Sequence, residues 1–230
     1  MKKWLNKHPE TPKPFLASIK TMSFPVISKQ HPLILASASP RRKRLLAQVG
    51  LPFRSIKSHV TEGDISGDPV EIPRFLAEEK ASQVHSKTGE TWVLGADTIV
   101  VIDKKILGKP QEKEEAKRML NLLSGREHRV ITGFCILNPS GKMAHSEAVT
   151  TLVQIKNLSE QEIGDYISTG EPYGKAGSYA IQGIGSFMIK TISGSYSNVV
   201  GLPLYALVNA LISAGAIKSF PFPDSISFLA

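Results

Sequence analysis

Four basic residues in a row, Arg41, Arg42, Lys43 and Arg44, follow the small-residue turn Ala36-Ser37-Ala38-Ser39 and Pro40. Ser39 is suited to cap a helix, and Pro40 to open it, where no backbone N–H is needed. Such a helix start already carries partial positive charge, so each cation there costs about 0.3–1 kcal/mol. A sequence that accepts this four times over is suited to an anion. Free N–H groups, the hydroxyls of Ser37 and Ser39, and the guanidinium groups of Arg41 and Arg42 would make a polyphosphate cradle. A solvated basic helix start is the plainer alternative.

Asp97 is the second anomaly, an acid inside the apolar run "VLGADTIVV". A carboxylate in a strand core is costly unless it is paired, solvated by a cleft, or bound to metal. Gly95 and Ala96 relieve crowding just before it, and Thr98 adds a hydroxyl, so a bulge or a cleft wall is the expected setting. Asp97 is read as a metal ligand or general base, with a structurally paired acid as the alternative. Lys109 in "LGKP" and Lys80 in "AEEKA" could join it, although lysines of this kind are more often surface charges. Glu62 offers a second carboxylate, but nothing local demands it. Lys175 and Gln182 stand among glycines in "KAGSYAIQG". Gln182 has both a donor and an acceptor for a planar base edge. Phosphate-binding cations with one or two carboxylates suggest metal-assisted phosphoryl chemistry. Neither a GxxxxGK[ST] loop nor a GxGxxG fingerprint is present. His128, before an apolar strand, is read as structural or exposed. Cys135, in "VITGFCIL", is read as a buried structural thiol.

The elements that must hold these residues alternate. Leu33–Leu35 reads as a buried strand, followed by a helix with an apolar face at Leu45, Leu46 and Val49 and a stop at Gly50. A strand is expected over Phe53–Ser58, then a polar loop, then a helix over Pro73–His85 with Phe75, Leu76, Ala81 and Val84 as its stripe. "TWVLGADTIVVID" reads as a central strand, and "KKILGKP" as a turn and short strand. Glu112–Leu123 predicts an amphipathic helix with Ala116, Met119, Leu120 and Leu123 on one face. "HRVITGFCILN", the turn "PSGK" and "MAHSEAVTTLVQIK" predict a hairpin or meander. Ser159 and Glu162 make a capping box. A glycine-rich stretch and an apolar helix, Leu204–Ala214, close the domain. Helices alternating with strands, plus a hairpin, indicate an α/β domain with a mixed sheet.

Of the net charge of +8, residues 1–30 carry +5, with six lysines against Glu10, and the other 200 residues carry only +3. The high basicity is partly a property of the N-terminal stretch, so a nucleic-acid-binding module is disfavoured. The single cysteine excludes an internal disulfide framework. No apolar run approaches the ~20 residues that span a bilayer. Residues 1–31 are read as a loosely ordered basic extension, 32–217 as the domain and 218–230 as a tail. The prolines and missing arginines of the extension suit an organelle-targeting peptide poorly.

The blocks "LASASPRR", "EEKA", "GADTIVV", "LGKP", "LSGREHRVITG", "EPYGKAGSYAIQGIG" and "GSYSNVVGLP" follow one another between Leu33 and Ile217. In this the chain resembles the Maf family of nucleoside triphosphate pyrophosphatases, also called septum formation inhibitors. The resemblance implies an inosine triphosphatase-like fold, a long mixed sheet in two lobes with a cleft between them. It implies hydrolysis between the α- and β-phosphates, giving a nucleoside monophosphate and pyrophosphate, with a divalent cation, magnesium or manganese. A cytoplasmic homodimer, with no specific nucleic acid and no membrane as partner, is implied as well. By position, Asp97 matches the family's proton-accepting carboxylate; on this reading Asp97, together with Glu62, holds the metal or activates water. Ser37, Arg41 and Arg42 match its phosphate-binding turn, and Glu62, Lys80 and Lys109 match further polar residues of the cleft. Arg41, Thr98 and Gln182 match positions tied to substrate choice. "AIQG" resembles the dTTP/UTP-preferring branch; the branch acting on 7-methyl-GTP tends to carry a Ser-Glu sequence there. One departure is Gly174, where the family usually has Asp. A non-catalytic nucleotide-binding regulator of cell division is the alternative.

Overall fold

The computed structural model describes residues 24–60 and 67–222. Its strands are β1 (Leu33–Leu35), β2 (Phe53–Ser55), β3 (Val93–Ile102), β4 (Lys105–Leu107), β5 (Glu127–Leu137), β6 (Met143–Ile155) and β7 (Ile189–Ser193). They form one mixed sheet in the order β2-β1-β3-β5-β6-β7, with β4 also paired to β3. β1 pairs in parallel with β2 and β3, and the remaining ladders are antiparallel. The helices are α1 (Pro40–Gln48), α2 (Glu71–Thr88), α3 (Lys113–Leu123), α4 (Glu160–Ser168), α5 (Tyr196–Val200) and α6 (Leu204–Ser213). The expected α/β class with a mixed sheet flanked by helices is what the chain adopts.

Local chemistry accounts for most of these elements. The Ser39 hydroxyl caps α1, and Pro40 opens it. Ser159 and Glu162 form the reciprocal capping box of α4. In α3 the buried residues are Ala116, Met119, Leu120 and Leu123, the same four that the spacing marks. Every residue of β3 but one is buried, as a central strand requires.

Some expectations need correction. α2 begins at Glu71 rather than Pro73, because Asp68 organises the turn before it and its carboxylate accepts from Val70 N at 2.9 Å. Pro73 still lies in the first turn, where its missing N–H costs nothing. Phe75 is 51% exposed, and the buried stripe is Ile72, Leu76, Ala77, Lys80, Ala81 and Val84. β2 stops at Ser55, three residues short of the expected end, because its partner β1 is itself only three residues long. Within the basic N-terminal stretch, Ile27 is buried and its N–H donates to Ala216 O, while Trp92 Nε1 donates to Pro25 O at 2.9 Å.

Of the four apolar clusters among the described residues, the two larger ones are the main cores. One gathers β1, α1 and α6 around Leu35, Leu46, Phe134 and Leu211. The other gathers α3 and α4 around Leu120, Leu123, Val153 and Tyr166. No helix among the described residues is long and apolar enough to cross a membrane.

His128 belongs to the framework. It is 2% exposed, and its Nε2 lies 2.7 Å from the Tyr179 hydroxyl. Burial pulls its pKa down from 6.5 to about 4. The unfolded chain takes up this proton below about pH 6.5, whereas the folded chain resists it. Stability present above that pH therefore drains away as pH falls toward 4, by up to ~3 kcal/mol. Urea denaturation at pH 7 and pH 4.5 should show this loss in the wild type and a shallower one in His128→Gln. Cys135 is fully buried, and burial pushes its thiol up to about 12, which leaves it inert as a nucleophile.

Candidate active site

Between the two cores lies a cavity of about 510 Å³. It sits beyond the C-terminal ends of the parallel strands β1 and β2, where open α/β sheets hold ligands. Six cationic side chains line it: Arg41, Arg42, Lys57, Lys80, Lys109 and Lys175. Among the described residues, Asp97 is the sole carboxylate in that lining.

Asp97 is placed by the sheet and by two glycines. It faces Gly133 across the β3–β5 ladder, which runs without a bulge, so a cleft wall is the setting and not a bulge. Residues two apart on a strand share a face, so Gly95, Asp97 and the paired Gly133 all point the same way. That face carries α2. A Cβ on Gly95 would stand 1.9 Å from Ala77 O, and one on Gly133 would stand 2.3 Å from Arg74 N. The bare glycines let the helix backbone touch the sheet, which brings Lys80 to Asp97. Lys80 Nζ donates to Asp97 Oδ1 at 2.6 Å, with both side chains almost fully buried. Among the described residues Oδ2 has no hydrogen-bond partner. The acid is thus both structurally paired and part of the cavity wall.

The α1 turn is built as its sequence suggests, with one change of emphasis. The Ser37 hydroxyl accepts from Ser39 N at 3.2 Å, and Ser55 Oγ donates to Ser37 O at 2.6 Å. Arg42 is buried, and its guanidinium serves the protein. Nε donates to Gly201 O at 2.8 Å, Nη1 to Ser37 Oγ at 3.2 Å and Nη2 to Thr98 Oγ1 at 3.0 Å. Thr98 in turn bonds Thr132 at 2.9 Å. Arg42 therefore braces the turn against β3 and the end of α5. Arg41 points its Nη2 toward Gly174 O at 3.5 Å, and burial pulls its pKa below the usual value. Lys43 and Arg44 do not line the cavity.

The opposite wall comes from residues 174–182. Lys175 is pulled below the usual lysine value by burial and then by the charge of Arg41, with Glu171 opposing. Two cations lining one cavity, the charge of Arg41 weighing on Lys175, favour an anion between them. Gly174 has φ +73° and open space at its Cβ position, so the missing Asp leaves a backbone turn that glycine adopts freely. Gln182 lines the cavity, and its buried Oε1 has no partner among the described residues. An unsatisfied amide oxygen at a cavity wall fits a ligand that donates a hydrogen bond.

The structure thus brings together Ser37, Ser39, Arg41, Arg42, Lys80, Asp97, Thr98, Lys109, Lys175 and Gln182 around one cavity. Glu62 lies outside the described residues. Lys57, absent from the sequence-level expectations, also lines the cavity; its only signal is its place just past the end of β2. No cluster of three or more His, Cys, Asp or Glu among the described residues could hold a metal by itself. A lone carboxylate oxygen next to bound phosphates nevertheless suits magnesium, which takes one or two carboxylates and completes its shell from phosphate and water.

Residues 32–214 match the family model described as Maf-like protein. A protein of Ruminiclostridium cellulolyticum named dTTP/UTP pyrophosphatase is 49% identical over 181 residues, covering 78% of this chain and 94% of the relative. One of the same name from Geotalea uraniireducens is 48% identical over 187 residues, covering 81% and 96%. Among solved structures, a nucleoside-triphosphatase / dITP/XTP pyrophosphatase of Mycobacterium abscessus is a slight likeness, with 14% identity, TM-score 0.37, and 55% of this chain and 75% of that one covered.

Proposed function

This chain belongs to the family of Maf-like proteins, and from that premise we propose that it is a nucleoside triphosphate pyrophosphatase acting on dTTP and UTP. It cuts between the α- and β-phosphates, releasing a nucleoside monophosphate and pyrophosphate. The observation that carries this reading is the placing of Asp97 beside six cations, counted among the described residues, around one cavity. The names and extent of the similar pyrophosphatases support it.

The roles follow from position. Arg41, Lys57, Lys109 and Lys175 neutralise the triphosphate, with the N–H groups at the start of α1. Arg42 holds the turn and Thr98 in place. The water oxygen bonds to the α-phosphorus while the bond to the bridging oxygen breaks, and that electron pair leaves with pyrophosphate. Asp97 accepts the proton of the attacking water, and Lys80 fixes the carboxylate through Oδ1. Gln182 meets the pyrimidine edge with its unpartnered Oε1. A divalent cation, held by Asp97 and the phosphates with Glu62 as the further candidate, would offset negative charge on the phosphoryl oxygens.

The test is a panel of nucleoside triphosphates with magnesium, scored for pyrophosphate against orthophosphate. We expect pyrophosphate, fastest from dTTP and UTP, and loss of at least 90% of the rate, roughly, when EDTA strips the cation. Nucleotide binding with no pyrophosphate release would return the regulator reading. Orthophosphate alone would move the cut to the γ-phosphate.

A further inference from the structure

Glu171 lies outside the roles assigned so far, yet its carboxylate makes specific contacts. It does not line the cavity. Oε1 accepts from Ile184 N at 3.1 Å and Oε2 from Gly185 N at 2.8 Å. The Tyr166 hydroxyl is close enough to feel this carboxylate, and burial first and Glu171 second push that phenol up. The same hydroxyl accepts from Ala180 N at 3.2 Å. Two backbone N–H groups just after Gln182 are thus tied to the carboxylate, and the N–H of Ala180 before it to the neighbouring phenol. At the other end of the loop, Lys175 Nζ donates to the Glu171 carbonyl.

The glycines agree with this geometry. A Cβ on Gly183 would stand 2.2 Å from Glu171 Oε1. A Cβ on Gly185 would stand 2.7 Å from the Tyr166 hydroxyl and 2.6 Å from Ala180 O. Bare backbone at both positions is what allows so close an approach. A charged acceptor holding several N–H groups makes stronger bonds than neutral pairs do, and fixes direction as well.

We infer that Glu171 is a positioning residue, a clamp that closes the 171–185 loop and holds Lys175 and Gln182 at the spacing a pyrimidine nucleoside triphosphate requires. This rests on the pyrophosphatase reading and adds to it the device that sets substrate affinity and base preference. Glu171 touches no reacting atom. Loosening it disorders the ligand-facing wall and leaves the Asp97–Lys80 pair, on α2 and β3, where it is.

Glu171→Gln keeps the shape but turns one acceptor into a donor facing an N–H. Steady-state rates with dTTP and with dGTP should show KM for dTTP raised about tenfold or more, kcat within about twofold, and a smaller dTTP preference in kcat/KM. Tyr166→Phe removes a single oxygen and should move KM the same way by less, with the double variant less than additive. An unchanged KM and preference in both variants would overturn the clamp. So would an equal fall in kcat for both nucleotides with KM unmoved, which is what a loss of folded protein produces. Calorimetric binding of the α,β-methylene analogue of dTTP separates this from the pyrophosphatase reading. Weaker binding in Glu171→Gln supports the clamp even if the wild type releases no pyrophosphate, and equal binding in both defeats it.

Discussion

Asp97→Asn should lower kcat by about 10²–10⁴-fold while dTTP binding is retained or tightened. Asn still offers an oxygen to Lys80 Nζ, so the 2.6 Å contact can persist. It cannot take a proton from water, and that is the function removed. Binding survives because the other cations of the cavity remain and the one negative charge in the described lining is gone. Stability should fall, since the buried Lys80 ammonium loses the Asp97 charge 2.6 Å away; removing one partner of such a pair typically costs about 3–5 kcal/mol, and the retained acceptor softens this. Turnover, dTTP affinity and thermal midpoint should be measured on the same preparation. Near-normal turnover in a folded variant would remove Asp97 from the chemistry and leave it as a structural acid. Lys80→Met is the useful contrast. It leaves the carboxylate buried and unpaired, so it should harm stability at least as much while keeping the proton acceptor.

Gly95→Ala should destabilise the fold by about 3 kcal/mol or more, a large effect for a single methyl group. The added carbon would fall 1.9 Å from Ala77 O, 2.9 Å from Ala81 N and 3.0 Å from Ala77 C. All three are backbone atoms of a helix held on the sheet by a row of buried side chains, so no single rotamer can yield. α2 must lift, and Lys80 lifts with it, away from Asp97. Urea midpoints with an unchanged m-value would measure the stability loss, and the activity of the remaining folded fraction should also drop. A variant as stable and as active as the wild type would show that the tight packing of α2 on β3 is dispensable. Gly108 is a fitting control, because a Cβ there meets nothing within 4 Å.

These two expectations divide along what could be read from residues alone. Asp97 is visible as an anomaly because a charge within "VLGADTIVV" is costly on its own strand, whatever surrounds it. Gly95, two residues earlier, reads merely as relief from crowding. Its real constraint, the backbone of α2, is 18 residues away along the chain at Ala77 and is decided by packing.

The α1 cap and its Pro40 start, the capping box of α4, the apolar face of α3 and the oddity of Asp97 can all be read from residues alone, because each rests on neighbours within one or two turns or on one strand's own polarity. The sequence also carries the ordered blocks that mark the family. It takes the packed molecule to show that Arg42 braces Gly201 across 159 positions, that Lys80 meets Asp97, that Lys57 reaches the cavity, and that Glu171 holds the loop just after Gln182. The physical reason is the range of the forces being read. Periodicity and capping report energies between residues close in the chain, whereas hydrogen bonds and steric contact between distant segments exist only after the sheet and helices have packed.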